Sequence, residues 1–258
     1  MYTDTEGVVL RQVKAPGGRR MILLFSKKFG KISAGTSISE KGRSKSALAL
    51  RPFTYGRYEL FKNRDSYNIN AVDVIRSYYS MGEDVDKYMA GSYVLEFTDK
   101  ILVEELPAPK LFNLLTEFFD VMERRKKKFS TLVLAYQYKA MELSGHKPNL
   151  RTCAVCGSDA ETAYFSVSEG GLVCRKCYAE GAGGRDKALT FNVNLNIMNV
   201  LRFFSANPLK SLENLALDDN ISEEIARILK CCAEYYLDIG SLKSESFMHD
   251  QSLAGLRR

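Results

Sequence analysis

Four of the six cysteines in this 258-residue chain form two pairs of identical spacing, Cys153-Ala-Val-Cys156 and Cys174-Arg-Lys-Cys177, separated by 17 residues. Two residues between thiolates let one tight turn direct both sulfurs at a single ion, and four such ligands complete a tetrahedron. Gly157 after the first pair and Gly170-Gly171 ahead of the second suit the chain reversals such a site requires. Disulfides are disfavoured in a cytosolic chain, and a dithiol redox centre needs one such pair at a helix start rather than a matched two. The pattern predicts one structural zinc ion held by Cys153, Cys156, Cys174 and Cys177. Four thiolates leave no coordination position for water, so the ion is expected to do no chemistry. Its insert of about 20 residues is too small for a core of its own, so the ion would supply what burial cannot. Arg151, Arg175 and Lys176 are placed to offset the negative charge. Cys231 and Cys232, among Ile225, Leu229 and Tyr236, read as small buried hydrophobes.

Other catalytic patterns are missing. The two histidines, His146 in a Gly-His-Lys-Pro turn and His249 near the C-terminus, have no recognisable partner. There is no Walker A loop, no G-x-S-x-G, no H-E-x-x-H and no regularly spaced carboxylate set of a nuclease. The sequence predicts no enzyme.

Charge points elsewhere. The formal net charge is +6, yet residues 1–80 carry 15 Lys+Arg against 6 Asp+Glu, a balance of +9, which leaves −3 for the remainder. Such an excess is self-repelling and contributes little to folding, so the N-terminal third is expected to face a polyanion. Charged residues make up 26% and the hydrophobic set 45%, a balance that folds and excludes a disordered or fibrous chain. Apolar stretches such as Met21–Phe25 fall far short of the roughly 20 residues of a spanning helix, and no charged-then-apolar leader opens the chain. A soluble, cytoplasmic protein is expected.

The elements that must position these groups change character along the chain. Residues 5–13, 20–25, 31–35, 54–61 and 66–72 read as five short strands, with Ala15-Pro-Gly-Gly18 as a turn, enough for a small barrel. Between the third and fourth, residues 37–45 form a polar, cationic loop presenting Lys41, Arg43 and Lys45, with Ile38 as its one anchor. Five strands with basic loops and interleaved rings suggest an OB-type fold, which stacks bases on aromatics within a positive groove. The candidate nucleic-acid contacts are Phe25, Lys27, Lys28, Phe29, Lys31, Lys41, Arg43, Lys45, Arg51, Tyr55, Arg57 and Tyr58. Each ring taken singly could equally be barrel core.

Helices follow. The stripe Leu111, Leu114, Leu115, Phe118, Val121, Met122 marks a core-facing helix running into Glu123-Arg-Arg-Lys-Lys-Lys128, read as a solvated helix end with a secondary DNA contact in reserve. Others are expected over 84–98, 130–144, 194–205 and 222–239, the last capped by Ser222 and ended by Gly240. Pro107-Ala-Pro109 breaks two helices. The predicted architecture is α+β and multidomain: an OB-fold barrel over 1–80, then an all-α helical domain in two parts, 81–150 and 181–258, carrying a four-cysteine zinc-ribbon-like insertion over 151–180.

Taken together, the opening T-E-G-V-V-L-R, the segment E-L-S-G-H-K-P-N-L-R-T-C-A-V-C-G (142–157) and F-S-V-S-E-G-G-L-V-C-R-K-C (165–177) resemble the RecO family of bacterial recombination mediators over essentially the whole chain. The resemblance implies a non-enzymatic DNA-repair protein of the RecF pathway. Such a protein binds single- and double-stranded DNA, anneals complementary strands, and acts with RecR to load RecA onto DNA covered by single-strand binding protein, whose acidic tail it would also meet. Nucleoid association follows from the same implication. Two other classes fit the residues: an OB-fold and zinc-ribbon factor of transcription or translation, and an assembly adaptor whose basic face meets an acidic protein.

Overall fold

Met21–Phe25 lacks the alternation expected of a half-exposed strand, and the fold explains why. In the computed structural model, which describes residues 1–14, 20–38, 45–64, 66–159, 162–182 and 187–245, β1 (Tyr2–Lys14), β2 (Arg20–Ser26), β3 (Gly30–Thr36), β4 (Thr54–Lys62) and β5 (Tyr67–Ser77) close a barrel in the order β1-β2-β3-β5-β4. β3 and β5 pair in parallel and the remaining neighbours antiparallel. Ile22 and Leu24 point inward with Val9, Ile32, Tyr58, Leu60 and Ile69. Leu23 and Phe25, on the other side of the strand, are buried as well. A strand buried on both faces carries a continuous apolar run.

The N-terminal compact unit is larger than the barrel. Residues 1–124 and the segment from Lys243 form it, while Arg125–Leu242 form the other. A short helix, α1 (Lys45–Ala49), joins β3 to β4, and Leu50 after it enters the barrel core. The expected anchor Ile38 packs against that core. Lys41 and Arg43 lie outside the described residues, as does the side chain of Lys45.

Two helices complete this unit. α2 (Val85–Ile101) starts at Asp84, whose carboxylate accepts the backbone N–H groups of Asp86 and Lys87, and α3 (Pro109–Arg124) has proline as its first residue, where no N–H is needed. The connector between them runs beside β3, with Glu105 N–H donating to the Lys31 carbonyl at 3.0 Å. This approach fixes Gly30: its φ is +69°, and a Cβ there would lie 2.1 Å from the Leu106 carbonyl oxygen.

In the second unit α4 (Phe129–Leu143) is buried around most of its circumference, packing against α6 (Leu195–Ala206) and α7 (Asp219–Leu237). A three-stranded sheet, ordered β7-β6-β8 from β6 (Thr162–Ser166), β7 (Gly171–Cys174) and β8 (Thr190–Asn192), carries the cysteine pairs, with α5 (Arg175–Ala179) following β7. No helix among the described residues is long and apolar enough to cross a membrane.

Three local expectations are corrected. Ser222 does not cap the last helix: α7 begins three residues earlier, Asp218 occupies the cap position, and Ser222 lies buried within the helix. At the other end the helix stops at Leu237, with Asp238 taking the left-handed conformation (φ +53°), not at Gly240. The basic run 123–128 is likewise not one solvated helix end. The helix stops at Arg124, and Arg125 is buried, its guanidinium donating to the carbonyls of Lys128, Leu212, Glu213 and Leu215. Four carbonyls satisfy the charge that solvent would otherwise hydrate. Lys128, in the left-handed region, pairs with Asp219.

Candidate metal centre and nucleic-acid interface

The two cysteine pairs converge because β7 bridges them. Asn149 pairs with Gly171, and Ala154 N–H donates to the Leu172 carbonyl at 2.7 Å, so the chain entering the first pair runs beside β7. A side chain at position 171 would strike the Asn149 backbone oxygen, 2.4 Å from the place of a Cβ. Gly157, at φ +71°, turns the chain after the first pair and donates to the Cys153 carbonyl. The second pair spans a helix start: Cys174 caps α5, its Sγ accepting the Cys177 N–H at 3.4 Å. Cys174 N–H in turn donates to Cys153 Sγ at 3.4 Å.

All four sulfurs lie within 4.8 Å of one another, with Cys156 and Cys174 3.9 Å apart. A tetrahedron of sulfurs about 2.3 Å from a central ion has edges of about 3.8 Å, so the cluster has the dimensions of a four-thiolate centre. Cys153, Cys174 and Cys177 are buried and Cys156 is exposed. Their electrostatics show what the site needs. Burial opposes ionisation of Cys153, yet the backbone N–H groups of Cys156, Cys174 and Val155 outweigh it and draw the thiol down to about 6. Cys177 moves the other way, driven up by the neighbouring sulfurs of Cys156 and Cys174. Sulfurs this close cannot all ionise without a cation among them, whereas the donors are already aimed at thiolates. The four residues therefore fit a metal ion.

Cys231 and Cys232 stand apart from this cluster. Cys232 is buried and its thiol is pushed up to about 12 by burial, consistent with a packing role, while Cys231 is half-buried. His146 stacks on Tyr236 with ring centroids 5.0 Å apart, and His249 lies outside the described residues.

On the barrel, many of the candidate contacts are already engaged. Tyr58 is wholly enclosed in the core and donates to the Ala49 carbonyl. Phe25 is equally enclosed, with its ring 5.3 Å from that of Phe112 on α3. Neither ring offers a face to a base. Tyr55 packs at 5.7 Å on the same Phe112 and donates to Glu6 at 2.8 Å; burial first, then Glu6, pushes its hydroxyl up to about 12. Lys27 pairs with Glu6 at 2.9 Å, and Lys31 donates to both the side chain and the carbonyl of Asp99 on α2. Arg11 binds Asp99 too.

The face of strands 2 and 3, where OB folds commonly hold oligonucleotides, is thus partly covered by the protein's own helices. Asp99 contacts the cation, and Phe112 the rings, that a phosphate and a base would need to find free. No local pattern marks Asp99 or Phe112 for this task, since both act at long range. Lys28, Arg51 and Arg57 remain exposed, and Phe29 is half-buried against the barrel core beside Tyr67. The outer face of β1 and β4 is partly acidic, with Asp4 directly opposite Glu59.

An OB-type barrel combined with helices and a four-cysteine cluster that could hold a metal ion defines a class of OB-fold proteins. Within it, residues 1–78 match the family described as recombination protein O N terminal, and residues 82–246 match recombination protein O C terminal. The chain belongs to the recombination protein O family. It is 30% identical over 241 residues to the DNA repair protein RecO of Alkaliphilus metalliredigens, covering 92% of this chain and 95% of the relative. The DNA repair protein RecO of Acetivibrio thermocellus is 27% identical, with coverage of 78% and 83%, and that of Caldanaerobacter subterraneus is 26% identical, with coverage of 95% and 97%.

Proposed function

We propose that the protein is a non-enzymatic mediator of DNA repair and homologous recombination that binds single- and double-stranded DNA and anneals complementary strands. The observation supporting this reading is that the chain's whole excess of positive charge falls within its first 80 residues, the stretch that contains an OB-type barrel, in a chain matched to the family along both of its parts. Complementary strands repel through their phosphates. A dense cationic surface neutralises both, raises their local concentration and lets pairing proceed without nucleotide hydrolysis. Among the candidate contacts, Lys28, Arg51 and Arg57, with Lys41, Arg43 and Lys45 of the basic loop, carry the proposal. The cysteine cluster holds one structural zinc ion, which braces the second unit and takes no part in chemistry.

RecR and the acidic tail of single-strand binding protein are the proposed protein partners, through which RecA is loaded. A cleft of about 160 Å³ in the second unit supports the tail reading: Tyr138, Met141, Phe165 and Leu229 give it an apolar floor, and Lys147 and His146 stand at its lining. An apolar groove edged by a cation suits a short acidic peptide. The protein is proposed to act in the cytoplasm, at the nucleoid.

Annealing of two labelled oligonucleotides already coated with single-strand binding protein tests the reading. Faster pairing than the coated strands show alone is expected. Duplex or structured-RNA preference without annealing would favour a transcription or translation factor, and partner binding that survives nuclease treatment without any DNA affinity would favour an adaptor.

A further inference from the structure

The cleft of the second unit and the four-cysteine cluster are built from the same two stretches of chain. Part of the cleft's lining comes from helices, with Met141 on α4 and Leu229 and Cys232 on α7. The rest comes from residues 145–148 and from Phe165 and Gly170. The first of these stretches runs directly into Cys153 and Cys156, and the second, through β7, into Cys174 and Cys177. They are joined where the cleft gives way to the sulfurs: Asn149 N–H donates to the Gly170 carbonyl at 2.8 Å, and Leu172 N–H donates to the Asn149 carbonyl at 2.9 Å. Two further bonds tie this wall to the helices. The Tyr236 hydroxyl on α7 donates to the Val167 carbonyl in the β6–β7 turn, and Arg202 on α6 donates to the Leu150 carbonyl at 2.8 Å.

We infer that occupancy of the cysteine centre by a metal ion sets whether the cleft is formed, so that the centre regulates what the cleft binds. The inference rests on the zinc and acidic-tail readings above and adds a control of that same site. The four sulfurs meet an ion only when the two stretches lie side by side, and the same arrangement places Phe165 and Gly170 beside residues 145–148. Without an ion, thiolates this close repel one another and work against it. Two ligands that select one arrangement raise each other's affinity by a single factor. Cys232 reports on the outcome directly. It lines the cleft, is 5% exposed, and burial keeps its thiol protonated, so it is a poor nucleophile while the wall is in place.

The test uses the full chain, zinc-loaded or stripped by a chelator, alkylated with iodoacetamide and mapped by mass spectrometry. Stripping should raise the labelling rate of Cys232 about ten-fold, within the usual range for coupled sites, while circular dichroism keeps its helical signal. A fluorescent synthetic peptide of the acidic tail of single-strand binding protein should bind the zinc-loaded chain about ten-fold more tightly than the stripped one. The same peptide should raise the chain's affinity for zinc, read by competition with a chromogenic chelator, by an equal factor. Unchanged labelling of Cys232 on stripping, or equal peptide affinity in both states, overturns the inference. So does collapse of the helical signal, which would mean that the ion holds the whole unit and not one wall. Should the chain take up no zinc, the metal reading and the inference fall together. A peptide that ignores the zinc-loaded chain while Cys232 still answers to stripping would refute the tail reading and leave the control of the cleft standing.

Discussion

The barrel and the cysteine module solve the problem of stability by different means. The barrel encloses ten buried residues, among them Ile22, Leu24, Tyr58 and Leu60, and its strands close on themselves. The module's cluster has four buried members, of which Cys153, Cys174 and Cys177 belong to the sulfur site and only Val173 is an ordinary hydrophobe, helped by the stacked rings of Tyr164 and Tyr178. Where too little apolar surface can be removed from water, a bound ion would supply what burial cannot. One region should therefore answer to volume changes and the other to chelation.

The largest expected effect lies in the module. Removal of the metal, or Cys174→Ser, should abolish amide-exchange protection across residues 149–192 while that of β1–β5 persists, since structural zinc supplies on the order of 10 kcal/mol in small sites. Protection lost evenly over both regions would erase the contrast. Metal analysis should return one zinc per chain, and a value well below one on protein purified without chelators would defeat the four-cysteine centre.

In the barrel, Leu24→Ala should cost about 2–5 kcal/mol through the cavity it leaves. Denaturant melting should report the loss, and the metal content should not change.

Smaller again is Asp99→Asn. Lys31, only 13% exposed, would keep its charge but lose its counter-charge, at a cost of about 1–3 kcal/mol. The same change uncovers cations on the strand face, so oligonucleotide affinity should rise modestly in a fluorescence titration. An unchanged affinity would mean that the helices cover this face whether or not the ion pair forms.

The smallest effect concerns acid. Glu96 is half-buried; although burial works against its charge, the hydroxyl of Ser244 and the backbone N–H groups of Ser244 and Lys243 hold its carboxyl below the ordinary 4.5. A depressed carboxylate stabilises fully above that ordinary value and loses its contribution as pH falls through the lower one. Glu96→Gln should thus flatten the dependence of melting temperature on pH below about 4.5 and leave it unaltered near neutrality. A mutant with the parent's acid slope would show that the Lys243–Ser244 clasp does not form in solution.

Much of this was legible in the chain itself. The five barrel strands, the break at Pro107–Pro109 and the stripe from Leu111 to Met122 follow from patterns spanning a few residues, where period and turn chemistry act locally. The convergence of the four sulfurs was equally local, since each pair is a single turn and the long-range requirement is that two turns meet. The strands of the module were harder to see: β6, β7 and β8 are three to five residues long, and β8 lies beyond the cysteine segment. At the last helix, Ser222 followed by two glutamates resembled a cap, but the helix continues back to Asp219 and buries the serine.

What the sequence determined alone was therefore the inventory: an OB-type barrel, helices, four convergent sulfurs and an excess of cations in the first third. Only the tertiary structure decided which of those cations and rings are available. Phe25, Tyr55 and Lys31 lie on strands whose local pattern does not say what covers them, and it is α2 and α3, more than 50 residues further on, that bring Asp99 and Phe112 over them. Periodicity fixes the side of a strand on which a residue projects, because that depends on neighbouring dihedrals. Whether that side meets water depends on what the rest of the chain lays against it.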